Sequence, residues 1–231
     1  MALNKAVFKT RTITAVVFAI VMLGGLFYNG YSFFILFTII MLGGIYEFIK
    51  LIKLIKPQGY IVLLPLAIFY IVLPIVMLMD LAGLFAESGT ITFNNYHYLL
   101  PIAVILSIWI NDTMAYVVGS FIGKTPFSPI SPKKTWEGTI GGAVLCIITM
   151  GLLGYFLPAL QSLAWQHWLA IASICAVFGT LGDLLESKLK RLAGVKDSGN
   201  FMPGHGGFLD RFDSLLIATP LVWLYVLLFV A

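Results

Sequence analysis

The sequence predicts an all-α fold: a polytopic integral membrane protein of about seven (seven to nine) transmembrane helices, with a polar cavity facing the cytoplasm. Three observations predict it. Of 231 residues, 60% are hydrophobic and only 10% charged, and the mean hydropathy is +1.00, more apolar surface than a soluble domain of this size can bury. Apolar runs of about 20 residues, the length that spans a bilayer, recur along most of the chain. The 14 lysines and arginines fall only in alternate connections between those runs.

The runs place spans at about 12–29, 31–50, 60–80, 98–122, 138–158, 165–187 and 214–231. The first follows Lys5, Lys9 and Arg11 in the manner of a signal peptide, but Phe27, Tyr28 and Asn29 make a poor small-residue cleavage site and a second span follows at once. The linker 81–97 has room for a short re-entrant or interfacial piece. Basic residues cluster at 5–11, 50–56, 124–134 and 188–211, whereas the connections near residue 30, at 81–97 and at 159–164 hold none. The positive-inside rule then sets the amino terminus and these basic loops in the cytoplasm and the carboxyl terminus outside. Topology alone accounts for the net charge of +4, and nucleic acid is not indicated. With no soluble insert between spans, 1–231 reads as one transmembrane domain.

Within the spans, Gly24-Gly25, Gly43-Gly44 and Gly141-Gly142 suit close helix contacts. Pro65, Pro74 and Pro101 suit kinks, and Trp165, His167 and Trp168 an interfacial belt on the outer side. Cys146 and Cys175 each lie inside a span, where packing rather than a disulfide or a metal is expected.

Acids inside spans are expensive and each needs a reason. Asp112 stands in "WINDTMAYVVGSFIG", flanked by Asn111 and Thr113; it is either a packed polar residue or part of a polar cavity. The sixth span ends in "GTLGDLLESKLKR", where Thr180, Asp183, Ser187, Lys190 and Arg191 share a helical stripe with Glu186 at its border. A Glu186–Lys190 pair at i, i+4 explains Glu186 but leaves Asp183 with no obvious cation on its own helix.

The least membrane-like stretch is "KDSGNFMPGHGGFLDRFDS", residues 196–214. Asp210 and Asp213 lie three apart at the mouth of the last span, where acids also favour a helix N-terminus. Gly204, Gly206 and Gly207 surround His205, and such a turn lets backbone N–H groups approach an anion closely. Lys190, Arg191, Lys196 and Arg211 add phosphate-binding cations. Carboxylates beside cations and exposed amides describe a site for Mg²⁺ and a polyphosphate. The loop "GKTPFSPISPKKTWEG", residues 123–138, reads either as an ordinary basic connection or, through Lys133, Lys134 and Thr135, as a reach toward a nucleotide.

From Ser187 to Asp213 the chain runs S-K-L-K-R-L-A-G-V-K-D-S-G-N-F-M-P-G-H-G-G-F-L-D-R-F-D. This resembles the signature of the phosphatidate cytidylyltransferases, the CDP-diacylglycerol synthases. "GDLLESKLKR", "NDTMAYVVGSFIGK" and "SPKKTWEGTIGG" extend the resemblance upstream to about Asn111. Departures are small: Met202 for a more usual leucine, isoleucine or phenylalanine, and Asn111 and Met114 for the serine and glycine expected around the intramembrane aspartate.

The resemblance implies variable N-terminal spans over 1–100 and a catalytic half over 101–231. It implies the reaction of CTP with phosphatidate to give CDP-diacylglycerol and pyrophosphate, with Mg²⁺ and room for a second cation. Asp183 and Asp210 resemble the family's metal-binding acids, assisted by Asp213, and are counted with Lys190 and Arg191 as catalytic. Ser187, Lys190 and Arg191 resemble its substrate-phosphate contacts, and Lys134 a nucleotide contact. Lys196, His205, Gly206, Gly207, Arg211 and Asp112 complete the expected substrate-binding set, His205 as a loop organiser rather than a base. The expected partners are the two substrates and membrane lipid, with a homodimer suggested by fold-level analogy alone. The expected location is a bacterial inner membrane with the site on its cytoplasmic face. Two other readings stand beside it: a CTP-dependent polyprenol or lipid kinase, and more distantly a secondary transporter. A transporter would be expected to show inverted halves, and none is visible. The phosphotransferase pattern D-G-x-x-A-R…G-x-x-x-D-x-x-x-D is absent.

Overall fold

The computed structural model of the chain describes residues 5–85, 89–202 and 206–230, with side chains from Thr12 onward. Helices dominate. They are α1 (Lys5–Phe27), α2 (Gly30–Ile55), α3 (Leu73–Leu81), α4 (Leu99–Ile122), α5 (Trp136–Phe156), α6 (Trp165–Leu192) and α7 (Leu209–Phe229). Six stretches are long and apolar enough to cross a membrane: α2, Tyr60–Leu81, α4, α5, α6 and α7. The apolar part of α1, Thr12–Phe27, is the seventh element, so the seven-run layout and the all-α class hold. Large apolar side chains such as Ile20, Phe69, Phe121 and Phe229 stand exposed, as expected where lipid replaces water around the helices.

The described residues form two compact units, Met1–Tyr98 with Leu189–Phe212 and Leu99–Lys188 with Asp213–Ala231. In the first, the two leading apolar runs become two helices parted at Asn29, where Asn29 and Ser32 form a capping box. Asn29 Oδ1 accepts from Ser32 N at 2.9 Å and Ser32 Oγ from Asn29 N at 3.1 Å, satisfying two donors at the helix start. The third span is irregular: a 3₁₀ turn at Tyr60–Leu63 and a π turn at Ile68–Val72 precede α3. The π turn ends two residues before Pro74, whose missing N–H removes the bond to the carbonyl four residues back. Phe33, Phe37, Ile71, Ile75, Leu78 and Leu84 form the buried core of this unit. The linker after α3 carries turns and an isolated bridge between Phe85 and Ile91, with no helix in its described part. Here Tyr96 donates to the Leu26 carbonyl, and burial pushes its phenol up to about 12, which keeps it a donor.

In the second unit α4 and α5 pack with their backbones almost touching. A Cβ on Gly142 would sit 2.6 Å from Ala115 N and 2.7 Å from its Cα, so only glycine permits this approach. Cys146 donates to the Ser107 carbonyl at 3.1 Å across the same contact, and Cys175 is buried and free, so both cysteines are packing residues. Gly142→Val is expected to lower the thermal midpoint in detergent, since overpacking against backbone costs roughly 1–3 kcal/mol. Unchanged melting would contradict the close contact.

Two sequence expectations are corrected. Pro101 lies in the first turn of α4, where its missing N–H would have no partner anyway, so it starts the helix rather than kinking it. Trp168 is not part of an interfacial belt. It is fully buried, its indole N–H directed at the Leu160 and Leu163 carbonyls, each at 3.3 Å. Trp165 is exposed, and His167 Nδ1 meets the Tyr225 hydroxyl at 2.9 Å.

Candidate functional site

The expected site residues fall into two groups, one in each unit. The first is organised by Asp210, in the opening turn of α7. Asp210 Oδ1 accepts from Lys190 Nζ at 2.6 Å. Asp210 Oδ2 accepts from Gly207 N at 2.7 Å, Ser198 N at 2.8 Å and Ser198 Oγ at 2.9 Å. Four donors around one nearly buried carboxylate, one of them an ammonium, hold it as the anion that closes the loop. Lys190 thus reaches an acid 20 positions along the chain.

The glycines of the loop have a steric cause. Gly206 has φ +90, a left-handed backbone that other residues rarely adopt, and its carbonyl accepts from Met202 N at 2.9 Å. A Cβ there would also lie 2.9 Å from Asp210 Cγ. Gly207 faces a second acid that sequence reasoning missed. Glu47, in the last third of α2, is only 3% exposed. Its Oε2 accepts from Ser198 Oγ at 2.7 Å and Leu209 N at 3.0 Å, and its Oε1 from Phe208 N at 3.0 Å. A Cβ on Gly207 or on Gly199 would overlap the Glu47 carboxylate. The available signal was an acid within "GGIYEF", inside an apolar run, a rare placement that asks for a partner.

The second group centres on Asp183, on α6. It forms an ion pair with Lys134 and accepts from Ser187 Oγ at 3.2 Å. The cation missing from its own helix is therefore supplied by the 123–138 loop. That loop is a two-stranded antiparallel hairpin, β1 (Pro126–Ser128) and β2 (Ser131–Thr135), not an irregular connection. Glu137, in the first turn of α5, ties its base: the carboxylate accepts from Lys124 N at 3.1 Å and from Thr125 Oγ1 at 2.8 Å. Thr135 caps α5 by accepting from Gly138 N at 3.1 Å. The aromatic pair Phe127–Trp136, with ring centroids 4.5 Å apart, braces the hairpin.

The remaining candidates are placed as follows. Arg191 is exposed, its guanidinium 3.4 Å from the Val195 carbonyl. Lys196 and Arg211 are exposed. Asp213 is buried and accepts from Ser214 N at 2.6 Å. Asp112 is exposed on α4, while Asn111 beside it is buried and Thr113 donates back to the Trp109 carbonyl at 2.7 Å. His205 lies outside the described residues.

Mg²⁺ takes hard oxygen ligands, one or two protein carboxylates with substrate phosphates and water completing its shell. Asp183 and Asp210, one in each unit, are carboxylates of the kind such an ion takes, and among the described residues no group of three acids, histidines or cysteines is assembled. Asp183, partly exposed and held by one cation and one hydroxyl, has lone pairs to spare. Asp210, ringed by four donors, has fewer.

Comparison with known proteins bears on the same residues. The chain is 45% identical over 127 residues to a phosphatidate cytidylyltransferase of Staphylococcus haemolyticus, covering 54% of this chain and 47% of that protein. It is 46% identical over 123 residues to the phosphatidate cytidylyltransferase of Bacillus subtilis, covering 53% and 45%. With the one from Synechocystis it shares 42% over 137 residues, covering 56% and 44%. The matched part thus spans about half the length of these curated relatives. A family model described as "Cytidylyltransferase family" matches residues 61–229, well over half of the chain and every site residue above except Glu47. On that match, the chain belongs to the cytidylyltransferase family.

Proposed function

We propose that this chain is a phosphatidate cytidylyltransferase, joining CTP and phosphatidate into CDP-diacylglycerol with release of pyrophosphate. The observation that carries the reading is Asp210. One carboxylate gathers Lys190, Ser198 and Gly207 into a glycine-rich loop that begins α7, within the residues 61–229 that the family model matches, and relatives of this chain bear this name.

The lipid phosphate is largely a dianion near neutral pH, since such phosphates have a second pKa of about 6. It therefore needs no general base, and no histidine has to serve as one. A phosphate oxygen of phosphatidate attacks the α-phosphorus of CTP. That P–O bond forms as the bond from the α-phosphorus to the bridging oxygen breaks, and pyrophosphate leaves with the electron pair. The protein's part is positioning and charge neutralisation. Lys190 and Arg191 bind phosphate oxygens, and Ser187 donates to them. Lys134, carried on the hairpin and paired with Asp183, exchanges that partner for the nucleotide's phosphates. The loop amides and Lys196 and Arg211 add donors for the anionic substrates, and Asp112 lends a polar contact on α4. Mg²⁺, for which Asp183, Asp210 and Asp213 are the candidate carboxylates, would supply neutralisation of the charge that develops on the leaving pyrophosphate. The reading puts this chemistry on the cytoplasmic face of a bacterial cell membrane, where a soluble nucleotide can meet a lipid that cannot leave the bilayer; the restriction of lysine and arginine to alternate connections supports that face.

The test is transfer of label. Purified protein in detergent, given phosphatidate, Mg²⁺ and CTP labelled at the α-phosphate, is expected to move label into the lipid phase, and a chelator to stop it. Label that stays in the aqueous phase would overturn the proposal, and label transferred only from the γ-phosphate to a polyprenol would replace it with a lipid kinase. Transfer that survives the chelator would remove Mg²⁺ from the mechanism.

A further inference from the structure

We infer that Glu47 is a positioning residue for Asp210, acting through Ser198, so that a helix outside the matched residues 61–229 completes the loop. The inference rests on the reading proposed above. Three features carry it.

First, Glu47 caps α7 from another helix. Phe208 N and Leu209 N, at the start of α7, have no carbonyl within that helix to bond to, and each lies 3.0 Å from a Glu47 oxygen. An anion at a helix N-terminus is also favoured by the helix dipole. Second, the Ser198 hydroxyl stands between two carboxylates, 2.7 Å from Glu47 Oε2 and 2.9 Å from Asp210 Oδ2. Its single proton can serve one of them at a time, so the two carboxylates are linked through one shared donor. Third, the backbone is shaped around the Glu47 side chain. Both Gly199 and Gly207 would overlap it if they carried a Cβ, and one turn earlier on α2 a Cβ on Gly43 would overlap the Phe208 ring. The two ends of the loop, 198–199 and 207–209, are thereby fixed at one carboxylate.

A cap alone does not call for an acid here. Burying a carboxylate costs several kcal/mol that a serine or asparagine cap avoids. The charge is matched instead to three donors, one of which is shared with Asp210. Glu47 touches Ser198, Phe208 and Leu209 rather than the Lys190–Asp210 pair itself, so its effect is on geometry.

The test is a double-mutant cycle in the full chain with Glu47→Gln, Ser198→Ala and both together. Misplacing groups around a reacting centre costs up to about 100-fold, so Glu47→Gln is expected to lower kcat about 30-fold, with KM for CTP within about 3-fold and melting little changed. Because the two residues act in one chain, the double variant is expected to lose no more than about twice what the worse single variant loses. A Glu47→Gln enzyme with wild-type kcat, losses that multiply in the double variant, or a loss matched by global unfolding would each overturn the inference. Trypsin cleavage after Lys196, which is exposed in the loop, gives a reading independent of the reaction. Local opening governs such cleavage, and Glu47→Gln is expected to speed it about 10-fold. An unchanged rate would overturn the inference, whereas a wild type without transferase activity and a faster-cut variant would overturn only the proposed function.

Discussion

Asp210→Asn is expected to reduce cytidylyl transfer about 1,000-fold, the scale of losing preorganised charge at a reacting centre. The carboxylate accepts from four donors, three on Oδ2 and the Lys190 ammonium on Oδ1. Asparagine keeps one acceptor oxygen and replaces the other with an N–H₂ group. If that group faces Lys190, donor meets cation; if it faces Ser198 and Gly207, donor meets two amides. Either orientation breaks the closure, and in both the charge that held Lys190 is gone. Lys190 loses the carboxylate that orients it, and phosphate binding must then reorder it. The loss should fall on kcat and on KM for CTP together, because the same closure presents the cation and fixes the backbone. Transfer of α-label measured beside a melting curve separates this from unfolding. A variant within about 10-fold of wild type would mean the Lys190–Asp210 pair is a brace and the charge work lies with Asp183.

Much of the fold was legible because its cause is local. Hydropathy fixes spans without tertiary information, and the restriction of lysine and arginine to alternate loops agreed with the seven runs. The break between α1 and α2 is written in Asn29 and Ser32, three residues apart. The motif from Ser187 to Asp213 announced acids, cations and glycines together. The partners of those residues were less legible, since they come from distant sequence. Lys134 meets Asp183 across a gap closed by a hairpin, and the hairpin was masked by Pro126, Pro129 and Pro132, residues that weaken any strand pattern. Glu47 was hidden for the same reason: Ser198 and Leu209 lie 151 and 162 positions away, and its neighbours are apolar residues and a glycine pair. Trp168 looked interfacial by composition, but the carbonyls that accept its N–H are at Leu160 and Leu163, in the turn whose path the sequence did not reveal.

Gly207→Ala is expected to cost about 100-fold in kcat with little loss of stability, which makes it the sharper test of how the loop works. The added methyl group would overlap the Glu47 carboxylate. That carboxylate cannot simply swing aside, because Ser198, Phe208 and Leu209 all donate to it. The segment at Gly207 must move instead, and its N–H, 2.7 Å from Asp210 Oδ2, moves with it. A displacement near 1 Å at a site built on positioning is worth about 100-fold. Stability should change little, since the described part of the loop contributes few buried apolar groups. Gly24→Ala is the control. A Cβ there meets nothing within 4 Å, and inside a helix alanine is favoured over glycine by about 1 kcal/mol, so activity should stay at the wild-type level and melting should rise slightly or hold. If Gly207→Ala is as active as wild type, the loop can shift without consequence, and the carboxylates of Glu47 and Asp210 do not set its geometry. If it is inactive but also unfolded, the glycine is a folding requirement. Loss of turnover in a protein that melts like wild type is the outcome that only a positioned loop gives.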